Sequence, residues 1–373
     1  MSYLDLPVID DHIHIHTNDN DVPRVSTLKR HEEIVEEIFE KTNDEAITLL
    51  ASGFASDYNY EVGGNVNLIE NAIGYYLKDK IQKKIYLFGA FSRDFHKPDK
   101  NTRKMYLEQA KFRVAAGCDG FKSLDGLLTT YRNIGARFSD PVTELYFEYL
   151  EKNRVPIAIH LLQPNNIFEK DCVMYVGDDK IEETRILIKD IKEDVEELLN
   201  KFPKLTLIIP HFYFLSHDLD EAERFMTKYE NVYFDLTPNI FMYYDFNKYN
   251  DEELRAFFKR ISHKLIYGTD TFIEEGILDI PIQVNVVRDY FEKEQSEFLS
   301  GMGIKTLPMD EDFLKKIYYE NFIGIVGNEP RKVNAKMAIE ECDCLLTEYR
   351  AWLSKKDIDF LTQIKSYFEN GDK

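Results

Sequence analysis

The sequence predicts an α/β fold, a distorted (β/α)8 TIM barrel with a C-terminal helical extension, and three observations carry that expectation. Eight short apolar runs, rich in β-branched and aromatic residues, recur along the 373 residues at intervals of 26 to 50. Each is followed by a longer charged stretch with helical periodicity, the alternation expected of repeated βα units around a parallel sheet. The polar residues within the runs gather at their C-terminal ends, which in a closed parallel barrel open on one face.

The runs are PVIDDHI from Pro7, AITLLAS from Ala46, KIYLFGAF from Lys84, CDGFKSL from Cys118, VPIAIH from Val155, LTLIIPH from Leu205, NVYFDLT from Asn231 and KLIYGTD from Lys264. Their spacing leaves room for a strand, a helix and two loops. Pro156 begins its strand, where a missing N–H costs least. Between the runs, Glu182 to Lys201 sets Ile186, Ile188, Ile191, Val195 and Leu198 mostly on one face, as a helix covering the sheet does. Asp140 before Pro141, with Glu144 a turn later, predicts a helix with Asp140 as its N-cap. Beyond the eighth run, Ile317 to Val326 and Ala335 to Leu353 read as helices, and Asp57–Asn67 and Gly301–Pro308 as loops. The expected organisation is a barrel over residues 1–330 and a helical extension over 331–373, packed on the barrel or on a partner subunit of a homo-oligomer.

Composition narrows the function classes. Lys plus Arg number 47 against 67 Asp plus Glu, a net charge of −20, with 44% hydrophobic residues. A chain of this length buries a large core without staples. The acidic balance argues against nucleic acid, whose binding draws on Lys and Arg at phosphates. No stretch approaches 18 uninterrupted apolar residues, so no membrane span is expected, and the start MSYLDLPVIDDH lacks the basic and apolar regions of a secretion signal. The four cysteines have neither disulfide-framework nor zinc-finger spacing and read as reduced thiols. The expectation is a cytoplasmic protein acting on a small molecule.

The first run ends Asp10-Asp11-His12-Ile13-His14, the fourth holds Lys122, the fifth ends at His160, the sixth at His211 and the eighth at Asp270. Strand alternation puts His12 and His14 on one side, about 6.5–7 Å apart along the chain and within reach of one metal ion. Such a pair alone is more often two buried, hydrogen-bonded histidines. Five of the nine histidines at run ends (His12, His14, His16, His160 and His211), with an aspartate, match the ligand preferences of Zn²⁺ and similar ions. Asp10 or Asp11 is expected to hold a ligand imidazole by its other N–H. Arg93 follows the third run, and Arg132 and Arg137 the fourth; an arginine there clamps a substrate carboxylate or, more commonly, is solvated loop charge. Tyr58 and Tyr60 barely rise above the background of 23 tyrosines as a lid. His31, His96, His217 and His263 read as surface or helix residues.

The pattern VIDDHIHIH, FKSL, IAIH, IIPH and YGTD resembles the amidohydrolase superfamily, in its amidohydrolase-related branch of metal-dependent TIM-barrel hydrolases and decarboxylases. NVYFDLTP resembles that branch's seventh strand and IYYENFIGIVG its closing helix, so the resemblance spans about residues 5 to 327. It implies His12, His14 and His160 as metal ligands, and Asp270 as both metal contact and proton-transfer residue. His211 would join a second metal or face the substrate. His16 would stand on the loop or substrate side, or act as a further ligand. Lys122 would be a carbamylated bridge between two metals, a free ammonium facing a substrate anion or carboxylate, or half of a structural ion pair. Lys122 and Arg93 are the expected substrate-binding cations. The cofactor is a divalent metal with zinc the first choice: one ion, or two if Lys122 is carbamylated and His211 is a ligand. The leading expectation is a hydrolase cleaving a C–N or C–O bond of a small, carboxylated molecule with a metal-activated water. The alternative within the superfamily is a non-oxidative decarboxylase, and outside enzymes a barrel kept as a binding scaffold.

Overall fold

The structure, a computed structural model, describes residues 3–15, 25–52, 69–91, 100–134, 137–172, 175–274, 276 and 281–371. Every one of the eight runs holds a strand: β1 (Ile9–His14), β2 (Ala46–Leu50), β3 (Lys84–Gly89), β4 (Gly120–Gly126), β5 (Ile157–Leu161), β6 (Leu207–Ile209), β7 (Val232–Asp235) and β8 (Leu265–Ile266), with a short β9 (Thr271–Phe272) behind it. All neighbours pair in parallel, in the order β8-β7-β6-β5-β4-β3-β2-β1-β9. The two ends of this sheet, β8 and β9, are separated in the chain only by Tyr267–Asp270. The sheet therefore meets itself through a split eighth strand, which is the distortion of this (β/α)8 barrel.

Closure across the split depends on side chains as much as on the ladder. Asp10 accepts the backbone N–H of Thr269 (3.1 Å), the Thr269 hydroxyl (2.5 Å) and the backbone N–H of His12 (3.0 Å), while the Asp11 N–H reaches the Tyr267 carbonyl (3.1 Å). Gly268 passes so close to β1 that a Cβ there would lie 2.4 Å from Asp11 Oδ1 and 2.9 Å from the His12 Cβ. Only glycine permits that approach.

Apolar side chains such as Ile9, Ala46, Tyr86, Phe88 and Ile208 fill the lower barrel. Phe322, on the helix Asn321–Val326, closes the N-terminal end with its ring edge-on to Tyr86 (5.2 Å) and stacked near Phe88 (6.4 Å). In β1, Asp11 and His12 together face one residue of β2, a bulge between the pairs Asp10–Ile47 and Ile13–Leu49. That extra residue switches parity, so Ile9 below and His12 and His14 above all turn inward. Bulges next to active sites commonly re-aim side chains in this way. The helices Ala335–Glu348 and Lys355–Asn370 pack through Cys342, Leu345, Phe360 and Ile364 onto the helices that follow β1 and β2.

Several local expectations differ from what is observed. Asp140 does not cap a helix at Pro141: its carboxylate accepts the Arg137 N–H (2.8 Å) and the helix begins at Glu144. Ile186 points to solvent (53% exposed), because the buried face of Ile181–Lys201 runs through Ile191, Asp194, Val195 and Leu198. His31 is on a helix but buried, with its ring edge-on to Phe360. All four cysteines are free, and no helix among the described residues is long and apolar enough to cross a membrane.

One buried acid makes stability pH-dependent. Asp44, at the foot of β2, is 7% exposed and neither carboxylate oxygen accepts a hydrogen bond of ordinary geometry. Burial pushes its pKa up to about 7, with Thr42 and Arg288 offsetting part of the effect. A raised pKa in the folded state gives stability present below the unfolded value near 4 and lost as pH rises through 7, at most roughly 4 kcal/mol. Asp44→Asn should flatten that fall. Urea unfolding at pH 5 and pH 8 is expected to show a smaller difference for the variant than for the wild type; equal differences would remove Asp44 from the account.

Candidate active site

At the C-terminal end of the barrel the strand ends converge. His12 and His14 project from β1 with Nε2 atoms 3.1 Å apart, and Asp270 Oδ1 lies 3.5 Å from the first and 3.3 Å from the second. Lys122, projecting inward from β4, brings its Nζ within 3.1 Å of His12 Nε2. The His211 ring centroid is 5.8 Å from that of His12 and 4.9 Å from that of His160.

The imidazoles of His12 and His14 are oriented from behind. Asp235, the last residue of β7, is fully buried and lies 2.8 Å from His12 Nδ1. A carboxylate there fixes the proton on Nδ1 and leaves the His12 Nε2 lone pair facing the pocket. His14 Nδ1 faces Ser52 Oγ (3.2 Å), and its ring stacks on Phe272 at 4.9 Å. The second oxygen of Asp235 accepts the backbone N–H of His211 (2.8 Å), the N–H of Thr237 (3.1 Å) and the Thr237 hydroxyl. Asp235 thus ties the ends of β1, β6 and β7 together.

The backbone is strained where it presents these groups. His211, Phe212, Tyr213 and Phe214 all have φ between 51° and 56°, and Asp270 has φ 57°. The left-handed region costs a residue with a Cβ roughly 1–2 kcal/mol, so five such residues at one pocket need firm support from their surroundings.

Burial pushes the His12, His14 and His160 imidazoles below their ordinary pKa, and the neighbouring Lys122 adds to this at His12 and His211 adds to it at His160. Lys122 is pushed down to about 8 by burial, against the pull of Asp235, Asp270 and Asp11. Burial would raise Asp270, yet its hydrogen bond with His14 and the facing imidazoles prevail and hold it below the usual carboxylate range. The result is a set of neutral imidazoles beside an ionised carboxylate, the protonation states a divalent cation requires.

A cation also fits the geometry. One ligand atom each from His12, His14 and Asp270 lies within 4.8 Å of the others, so this group could hold a metal ion; Asp11, His12 and Asp235 form a second such group. Two imidazole nitrogens at 3.1 Å need a shared proton or a shared cation between them. His160 is not in either group, but its Nε2 is buried without a hydrogen-bond partner and its ring adjoins that of His211. Arg93, His16, His96, Tyr58 and Tyr60 lie outside the described residues.

One expectation needs correction, one open alternative is resolved, and one orienting residue is unforeseen. Asp10 does not orient an imidazole, because its carboxylate is used in barrel closure, and Asp11 Oδ1 has no partner. Arg132 and Arg137 follow the commoner of their two readings, charge at the surface: they pair with Glu183 and with Asp194 and Glu197 on the covering helix. The orienting role falls to Asp235, which the sequence expectation omits although it ends its strand as His14 does.

Comparison with known proteins supports the family and the fold. Residues 91–321, more than half the chain, match a family model described as Amidohydrolase. The chain belongs to the amidohydrolase family. Among solved structures, an uncharacterized TIM-barrel protein of Bordetella bronchiseptica is similar at TM-score 0.53 and 15% identity, over 86% of this chain and 98% of that one. The dihydroxybenzoic acid decarboxylase of Polaromonas sp. JS666, solved with manganese and the inhibitor 2-nitroresorcinol, gives 0.52 at 13% identity over 86% and 97%. The 2,6-dihydroxybenzoate decarboxylase of Rhizobium gives 0.51 at 14% over 86% and 98%. At these identities the likeness is one of fold. No curated protein matches the chain.

Asp235→Asn keeps the side-chain shape but offers an amide N–H where His12 now finds a carboxylate. The His12 proton should move to Nε2 and remove the lone pair from the pocket. Titration with Mn²⁺ is expected to show binding about 10–100-fold weaker than in the wild type, and an unchanged affinity would detach Asp235 from the cation.

Proposed function

We propose that this amidohydrolase-family protein is a divalent-metal-dependent hydrolase that cleaves a C–N or C–O bond of a small, carboxylated molecule. The observation that carries the reading is the convergence of His12 Nε2, His14 Nε2 and Asp270 Oδ1 within 3.1–3.5 Å at the barrel mouth. His12, His14 and Asp270 would hold the ion, zinc or manganese, with the unpartnered His160 Nε2 completing the set. A bound divalent cation supplies Lewis acidity, acidifying a water toward neutral pH and polarising a carbonyl oxygen.

The remaining chemistry belongs to the chain. Asp270, ionised and in contact with both imidazoles, takes the proton of the attacking water and returns it to the leaving nitrogen or oxygen. Lys122, buried at the edge of the cradle, offers its ammonium to the substrate carboxylate. His211 presents an imidazole toward the same space for a second ion or for the substrate. Asp235 keeps His12 in one tautomer throughout.

Non-oxidative decarboxylation is the second reading, favoured by fold likeness to the two dihydroxybenzoate decarboxylases. There the positive charge that binds the substrate carboxylate and an adjacent oxygen would come from the cation held in the same cradle, and Asp270 or His211 would relay from solvent the proton that replaces CO₂ on carbon. Assay of products separates the readings: a new amine, alcohol or acid supports hydrolysis, and stoichiometric CO₂ supports the second.

Elemental analysis of His12→Ala is expected to show metal well below the wild-type content, with far-UV circular dichroism retained; full metal content would overturn the ligand assignment. Asp270→Asn is expected to keep substantial metal but lower turnover by about 10²–10⁴-fold. Wild-type turnover in that variant would reject its role in proton transfer.

A further inference from the structure

Among the described residues, eight other than glycine have φ in the left-handed region. Two of them, Asn43 and Arg154, are ordinary helix C-caps. The other six, Leu162, His211, Phe212, Tyr213, Phe214 and Asp270, follow β5, β6 and β8 at the mouth of the barrel. Four are consecutive, with φ of 55°, 55°, 56° and 51°. Left-handed residues bearing a Cβ normally occur singly, not in runs. A turn of this hand would be unstrained with glycines, and this chain uses two phenylalanines, a tyrosine and a histidine.

The side chains explain how the turn persists. Phe212 is fully buried, its ring edge-on to Phe234 and Phe246 at 5.5 Å and close to Phe257 and Phe258. Tyr213 packs on Phe225 at 5.2 Å and Phe234 at 5.8 Å, and its hydroxyl has no hydrogen-bond partner, so the side chain is anchored through its ring while its backbone N–H donates to the Pro210 carbonyl (3.1 Å). With those rings held in the core, the residues on either side point the other way. Phe214 stacks on the His211 imidazole at 5.3 Å, and His211 lies inward beside His160.

The same turn sets the state of the His211 ring. Its Nδ1 lies 3.1 Å from Thr237 Oγ1 and 3.4 Å from the Thr237 carbonyl. The Thr237 hydroxyl donates to Asp235, so its oxygen is left to accept. His211 therefore carries its proton on Nδ1 and turns the Nε2 lone pair to the pocket.

We infer that Phe212 and Tyr213 are positioning residues: by anchoring a strained left-handed turn in the aromatic core they hold His211 in one orientation and one tautomer, with Nε2 facing the site. This rests on the reading of His211 as a working residue of that site. If either anchor is lost, the backbone relaxes toward the right-handed region, the His211 side chain rotates and its contact with Thr237 breaks. Loss of packing at a core ring that does not touch the turn directly, such as Phe313, has no such effect.

The test uses metal-free full-length protein with ¹⁵N-labelled histidine at pH 8, so it is independent of whether metal binds or turnover occurs. The His211 ring signals are assigned by their absence in His211→Gln. Wild type is expected to show a single Nδ1–H tautomer. Phe212→Ala and the milder Tyr213→Leu are expected to show averaged ring-nitrogen signals from both tautomers. Tyr213→Phe, which removes only the unpartnered hydroxyl, should keep the wild-type pattern. So should Phe313→Ala, a buried ring that packs on Phe258 and Phe291 but not on the turn. A single Nδ1–H tautomer retained in Tyr213→Leu and in any folded Phe212→Ala would overturn the inference. So would an equal change in Phe313→Ala. Should Phe212→Ala not fold, Tyr213→Leu decides alone.

Discussion

The architecture depends on one buried carboxylate. A barrel must join its first and last strands, and here the last is broken over four residues, so the ladder between them is incomplete. Asp10 fills the gap by accepting from both the backbone and the hydroxyl of Thr269 while holding the His12 N–H. A buried carboxylate is expensive unless its oxygens are satisfied, and three donors satisfy this one. The break in turn is what lets Asp270 swing in beside two imidazoles instead of continuing a regular strand.

Asp235 repeats the device on the opposite wall. It spends one oxygen on the His12 ring and the other on the chain around His211. The two acids divide the labour: one shapes the wall, the other aligns the groups that stand on it. Both belong to strands, and from there they hold the groups that stand off the strands at the pocket.

Much of this was legible in the sequence because parallel strands covered on both faces read as unbroken apolar runs, and all eight runs are strands. The gathering of His12, His14 and Asp270 followed from their places at the ends of those runs. What escaped depends on tertiary pairing. The bulge at Asp11 and His12 exists only in register with β2, so strand parity gave the right relation between the two histidines but no hint of how Asp11 comes to face inward. Asp10 and Asp235 are both aspartates near strand ends, and nothing in their flanking residues tells which one meets an imidazole. The left-handed turn after β6 carries no glycine to announce it. The helix Lys355–Asn370 had a readable start, since Ser354 and Asp357 form a capping box, and that signal lies just past the point where the sequence expectation ends its last helix. Its Phe360 also explains why His31 is buried.

Phe322 makes the barrel a vessel with a floor. Because its ring seals the end where the strands begin, traffic of reactant, water and product has to use the opposite opening. A turnover cycle on such a plan is a queue at one door: whatever is made must leave before the next molecule enters. That door lies at the strand ends where His12, His14 and Asp270 gather.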